Sequence, residues 1–227
     1  GSEVLSLLRE RELELIQTVR KAYETFAKED VSLPYSQFLS FPNAPRNRII
    51  ALPAYLGGDF AAAGMKWVAS FPDNLAIGLD RASAVLILNS TVTGRPVAII
   101  EGSIISAKRT AASAALAAYC LQVSHKATIA GFLGCGLINF EIARFLLAIC
   151  PEINSLLISD SDSARAEHFK AKCQDTFAGV EVNVAKDAAT LLKSTELISM
   201  ATTAAVPHIF DLSDCAPGST ILHVSLR

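Results

Sequence analysis

No apolar run in the sequence reaches the roughly 18 residues needed to cross a bilayer, although the mean hydropathy is +0.37. The high value comes from alanine-rich stretches such as 109–121, which Thr and Ser interrupt, so no membrane partner is expected. An excess of one charge is also missing: 20 Lys and Arg stand against 22 Asp and Glu, a net charge of −2. Without a basic face, a nucleic-acid partner is not expected either. Glu3, Arg9, Glu10, Arg11 and Glu12 interrupt the N-terminal stretch, and no secretory leader is read in it. The five cysteines (Cys120, Cys135, Cys150, Cys173, Cys215) form no C-x-x-C pair. They read as reduced, buried thiols of a cytoplasmic protein, and no metal site is expected. There is no G-x-S-x-G nucleophile motif, no internal repeat and no low-complexity segment. His125, His168, His208 and His223 lack ligand spacing. What is present is core material: 51% of the 227 residues are hydrophobic and 19% charged, a globular composition longer than one average domain.

The pattern of elements changes along the chain. The first half opens with one amphipathic helix over 5–28, in which Leu8, Leu15, Val19, Tyr23 and Phe26 keep helical spacing. Short strands follow at 36–41, 48–54, 62–69, 82–88 and 96–101, parted by turn signals at Pro42-Asn43, Gly57-Gly58, Pro72-Asp73-Asn74 and Thr93-Gly94. The last two strands read as a hairpin, and 106–122 as a long Ala-rich helix. From 127 onward strands and helices alternate: strand 127–133, helix 137–149, strand 155–159, helix 163–174, strand 180–184, helix 187–193, strand 196–200 and strand 220–224. Alternation with apolar strands predicts a parallel sheet covered on both faces. The expected class is therefore α/β, with an α+β domain at 1–122 and a Rossmann-type domain at 123–227.

Between the first strand and helix of the second half stands Gly134-Cys135-Gly136-Leu137-Ile138-Asn139. It reads as a dinucleotide loop in which Gly134 permits the tight turn. Gly136 lets the backbone approach a pyrophosphate at the helix N-terminus, beside Leu137 and Ile138. Asn139 departs from the fingerprint, whose third position normally serves close helix–strand packing. Asp160 ends the next strand, where a carboxylate accepts from the ribose hydroxyls and repels a 2′-phosphate, so NAD is favoured over NADP. The competing reading is a Gly turn that binds nothing, with Asp160 as a helix cap. Thr202 and Thr203 follow the fourth strand, either at the nicotinamide end or as a solvated loop. In the first half, Lys66, Arg109 and Arg48 stand in apolar surroundings. Either they bind substrate carboxylates or they pair within the protein and extend to solvent.

Four stretches occur in one order: GMKWV around Lys66, ASAVLILNSTVTGRPVAIIEGS, SAKRTAASAALAA and GCGLIN. Together they resemble the ornithine cyclodeaminase/mu-crystallin family over nearly the whole chain. RIIALPAYLGG and LDRASAVLILN are similar to one branch, the N-(2-amino-2-carboxyethyl)-L-glutamate dehydrogenases of 2,3-diaminopropionate biosynthesis for siderophores and peptide antibiotics. The resemblance implies a substrate-binding and dimerisation domain beside a Rossmann domain, a homodimer, NAD, and an amino-acid-derived substrate. It assigns the substrate α-carboxylate to Lys66 and Arg109, and the cofactor to the glycine loop and Thr110. A further family Arg is expected near Gln37 and Ser40, where this chain has none; Arg48 is the candidate to replace it. The family also carries a catalytic Asp directly after a segment like HVSLR, so the proton-handling carboxylate and a closing helix are expected beyond Arg227.

The implied activity is NAD-dependent oxidative cleavage of an amine joining glutamate to an alanine-like unit, giving 2-oxoglutarate and 2,3-diaminopropionate. The same chemistry leaves ornithine cyclodeaminase, ketimine reductase and alanine dehydrogenase as alternatives. A non-catalytic cofactor-binding protein of the mu-crystallin type is the alternative of a different class.

Overall fold

The computed structural model describes residues 1–122, 127–204, 206–207 and 209–225. These group in space into two units, Gly1–Arg9 with Thr18–Ser106, and Glu10–Gln17 with Ala107–Arg227. The Ala-rich helix, read with the first half of the sequence, therefore gives most of its length to the second unit.

Helical spacing near the N-terminus does not produce one helix. It yields α1 (Ser2–Leu7) and α2 (Glu12–Ala27). Between them Glu10 takes a left-handed φ of 58°, and Arg9 N–H closes back on Ser6 O at 3.4 Å. The new start is favoured locally. Arg11 is bonded through Nε to the Glu14 carboxylate at 2.7 Å, and Glu12 and Glu14 place negative charge in the first turn. No Gly or Pro marks this break, so periodicity alone runs through it.

The strands of the first unit are β1 (Val31–Ser32), β2 (Gln37–Phe41), β3 (Ala44–Leu56), β4 (Ala62–Ser70), β5 (Ala82–Asn89) and β6 (Pro96–Glu101). They form one antiparallel sheet in the order β1-β3-β4-β5-β6, with β2 also on β3. The expected hairpin is β5–β6. Its turn is closed by Ser90 N–H on Arg95 O and Gly94 N–H on Ser90 O, both 2.9 Å. The Pro72-Asp73-Asn74 signal begins a 3-10 helix, Pro72–Ile77, rather than a simple turn. The two-residue β1, too short to show a period, exists only through its pairing with Tyr55 and Leu56.

Helix α3 (Ser103–Leu121) begins three residues earlier than its alanine run suggests. The Glu101 carboxylate accepts from Ser103 N–H at 2.5 Å and Ile104 N–H at 3.2 Å, filling the unpaired donors of the first turn.

The second unit alternates β7 (Ile129–Leu133), α4 (Leu137–Ile149), β8 (Ser155–Ser159), α5 (Ser163–Thr176), β9 (Glu181–Val184), α6 (Ala188–Ser194), β10 (Leu197–Met200) and β11 (Thr220–His223). All neighbours are parallel, in the order β11-β10-β7-β8-β9. The chain walks outward from β7 to β9, then restarts on the other side of β7. The gap between β7 and β10 is therefore the topological switch point, where ligands of such sheets bind. Phe132, Leu156, Ile158, Leu197 and Ile198 are fully buried, because helices cover both faces. Leu133, Leu191, Leu192, Ile198 and Met200 form one of the clusters under α6. No helix among the described residues is long and apolar enough to cross a membrane.

One charged pair lies inside this unit. Lys108 of α3 is 4% exposed; its Nζ stands 3.3 Å from Glu141 of α4 and 5.7 Å from the centre of the Phe145 ring. A buried cation stripped of its partner is costly. Glu141→Ala is expected to destabilise the fold by about 3–5 kcal/mol, read as a lower denaturant midpoint. An unchanged midpoint would show that Lys108 finds water instead.

Candidate cofactor and substrate sites

The loop after β7 is shaped by two glycines with different duties. Gly134 has a φ of +93°, and a Cβ placed there would lie 2.5 Å from Ala201 O, just past β10. The position thus needs both the left-handed backbone and the missing side chain. Gly136 caps α4 in extended conformation, with no side chain capping the helix. A Cβ there would meet nothing within 4 Å. An open, uncapped helix N-terminus offers the backbone donors of Leu137 and Ile138 and the positive end of the helix dipole.

Asn139 does what the third glycine or alanine does elsewhere, by hydrogen bonding instead of by smallness. It has no exposed surface. Its Nδ2 donates to Leu133 O at 2.8 Å and Gly134 O at 2.6 Å. Its Oδ1 accepts from Ser199 Oγ at 2.7 Å. The departure from the fingerprint is therefore a tie between α4, β7 and β10.

Asp160 is not the cap of α5; that role belongs to Asp162, whose Oδ1 accepts from Arg165 N–H at 3.2 Å. Asp160 accepts instead from Cys135 N–H at 2.8 Å and Asp162 N–H at 3.0 Å. Each carboxylate oxygen keeps a second lone pair for a ribose hydroxyl. Arg165 stands 3.6 Å from Asp160 and 3.5 Å from Asp162. The residues present thus fit a dinucleotide: donors for a pyrophosphate, an acceptor one strand away, and space above Gly136.

Beyond β10, the Thr202 methyl approaches the Gly134 turn, 3.3 Å from where a Cβ would stand, and Thr203 is exposed. Ser225, to which the sequence assigns no role, organises this loop. Its Oγ accepts from Thr202 N–H at 2.7 Å and donates to Met200 O at 3.0 Å. Cys135 belongs to the loop and is no nucleophile: burial, then the Asp160 charge, pushes its thiol up to about 12. Cys120 departs from the expectation of buried thiols and is exposed. Among the described residues no His, Cys, Asp or Glu side chains gather as a metal site. His125 and His208 lie outside the described residues.

In the first unit, Lys66 projects from the middle of β4, paired with Leu52 and Leu86. Its Nζ is 3.0 Å from Ser106 Oγ on α3. Ser106 opens the SAKRTAASAALAA stretch, but the sequence assigns it no role of its own. Arg48, on β3, is directly opposite Ser40 of β2, the place where the resemblance expects an arginine. Arg109 and Thr110 lie on α3, Arg109 exposed and Thr110 half-buried.

The model of the ornithine cyclodeaminase/mu-crystallin family matches residues 2–225. An N-((2S)-2-amino-2-carboxyethyl)-L-glutamate dehydrogenase of Staphylococcus aureus is 29% identical over 200 residues, 86% of this chain and 59% of the relative. Among solved structures, the Thermococcus litoralis Delta(1)-pyrroline-2-carboxylate reductase in complex with NADH and L-proline superposes with a TM-score of 0.80 at 25% identity. It covers 88% of this chain and 61% of that one. An archaeal alanine dehydrogenase dimer with bound NAD superposes at 0.77 with 28% identity, over 89% and 59%. The chain thus spans less than two thirds of the length of these relatives.

Gly134→Ala is expected to cost several kcal/mol, because it combines a strained φ with a clash against backbone. Gly136→Ala is expected to leave stability within about 1 kcal/mol. Thermal unfolding of the two variants separates them; equal melting temperatures would contradict this division of labour.

Proposed function

The chain belongs to the ornithine cyclodeaminase/mu-crystallin family, and from that premise we propose that it serves an NAD-dependent oxidoreductase acting on an amino-acid C–N bond. The observation that carries the reading is the cradle itself: left-handed Gly134, the uncapped N-terminus of α4, and Asp160 fixed beside them. The substrate is N-(2-amino-2-carboxyethyl)-L-glutamate, a choice supported by the Staphylococcus aureus relative and by the branch-like segments at 48–58 and 79–89. The net reaction converts this adduct, NAD and water into 2,3-diaminopropionate, 2-oxoglutarate, NADH and a proton.

Bound NAD supplies the hydride acceptor. Gly134, Gly136, Leu137 and Ile138 take the pyrophosphate and Asp160 the adenosine ribose, while Thr110, Thr202 and Thr203 face the nicotinamide side. Lys66 and Arg109 hold the α-carboxylate of the glutamate unit. Ser106 fixes the Lys66 ammonium at 3.0 Å, and Arg109 follows Ser106 by one helical turn. Fixing the carboxylate restricts the orientations open to the α C–H, a gain in positioning rather than in bond chemistry. Cations around the site also lower the pKa of the substrate amine, raising the neutral fraction that loses hydride. Loss of hydride leaves an imine; water adds to its carbon, and the carbon–nitrogen bond breaks to release the two products.

The protein is read as a cytoplasmic homodimer. Leu39, Trp67 and Ile99 share one face of the antiparallel sheet by register and are exposed, an apolar surface of the kind that partners cover.

The test is NADH absorbance with NAD and the adduct. Turnover is expected to need both, and Asp160→Ala is expected to weaken NAD binding at least about tenfold. Proline from ornithine with no net NADH would move the assignment to cyclodeamination. Cofactor binding with no turnover across amino acids and adducts would make it a binding protein.

A further inference from the structure

The register of the antiparallel sheet brings a second set of cations to the face that carries Lys66. Across β3, β4 and β5, Leu52, Lys66 and Leu86 form one row. Ile50, Val68 and Ala84 form the next, and Arg48, Ser70 and Ala82 the one after. Alternate residues of a strand share a face, so Lys66 and the Arg48–Ser70 pair project to the same side. Their Cα atoms are about 13 Å apart along the strands, a gap that two long side chains narrow from both ends. Arg81, just ahead of β5, joins the far row: its Nη2 donates to Ser70 Oγ at 3.3 Å.

Arg48 is underused by the protein. Its Nε is buried and has no hydrogen-bond partner among the described residues, and a buried donor without an acceptor is costly. Ser40, opposite it on β2, is neutral and offers no counter-charge. Asp73, three residues past Ser70, is engaged by Arg46 at 3.2 Å. The face thus reads cation, apolar strip, cation. That spacing suits a molecule with two carboxylates separated by methylenes. Arg48 and Arg81 also fall in the two segments, 48–58 and 79–89, that set this chain toward one branch of its family.

We propose that Arg48, Ser70 and Arg81 form a second carboxylate subsite that takes the side-chain carboxylate of the glutamate unit. Lys66 takes the α-carboxylate, and the Ile50–Val68–Ala84 strip lies under the intervening methylenes. The proposal rests on the reading of the chain as an amino-acid oxidoreductase and deepens it. It makes the enzyme selective for acidic amino-acid adducts over neutral and basic ones.

The experiment is calorimetric titration of the NADH-bound protein with L-glutamate and with L-glutamine, which differ only in the terminal group. Wild type is expected to bind glutamate at least about tenfold more tightly, the worth of one charge-assisted contact. Arg48→Gln and Arg81→Gln are each expected to bring that ratio close to one, with circular dichroism and melting temperature confirming that each variant is folded. A wild type without preference, or folded variants that keep it, would overturn the subsite. No turnover is required. A failure of the oxidoreductase reading shows separately, as absent NADH formation from the adduct in a protein that still prefers glutamate.

Discussion

Asn139 and Asp160 hold the carboxyl edge of the parallel sheet together. One amide side chain, wholly buried, closes on the last carbonyl of β7, on Gly134 and on Ser199 of β10. One carboxylate, at the end of β8, closes on the amide of Cys135 and on the turn that follows. Buried polar groups carry a desolvation cost that only complete pairing offsets, so these bonds leave the loop little freedom. The left-handed Gly134, the close approach of Ala201 and the direction of α4 all follow from that pinning. The open donors at the start of α4 are positioned by the same bonds.

The proposed substrate side follows a different logic. Its charged groups stand on an antiparallel sheet, where a period of two sorts them by face and strand register sorts them by distance. Lys66 gains its position from β4 and its orientation from Ser106. Arg48 of β3 gains its place from the same register, two rows away, and Arg81 just ahead of β5 joins that row through Ser70. A rigid sheet therefore converts sequence spacing into charge spacing, which is what recognition of a particular carboxylate pattern needs.

The sequence was most readable where local signals and tertiary demand agree. Helix 137–149 and strand 155–159 begin and end where glycine, proline and apolar runs place them, because the Rossmann order needs those same boundaries. The dinucleotide loop was legible from Gly134 and Gly136, whose chemistry is local. Asn139 was read as a weakness, since the tie it makes to Ser199 spans 60 residues and has no local trace. Ser225 was invisible for the same reason, being far in sequence from the Thr202 amide it supports. The single helix over 5–28 failed because its break uses a left-handed Glu10 and an Arg11–Glu14 pair, neither of which disturbs helical periodicity. Arg48 is a candidate carboxylate binder in the sequence, but only the pairing of β2, β3 and β4 puts it opposite Ser40 and Ser70.

Asp160 is proposed as a ribose acceptor as well as a structural anchor. Arg165, within 3.6 Å of it, is a cation that would welcome a 2′-phosphate if the carboxylate did not. Comparing the affinities of the protein for NADH and NADPH by calorimetry decides the matter. A preference for NADH of about tenfold or more is predicted, from repulsion between the Asp160 carboxylate and the extra phosphate. Equal affinities, or a preference for NADPH, would contradict the assignment of Asp160 and the cofactor reading built on it.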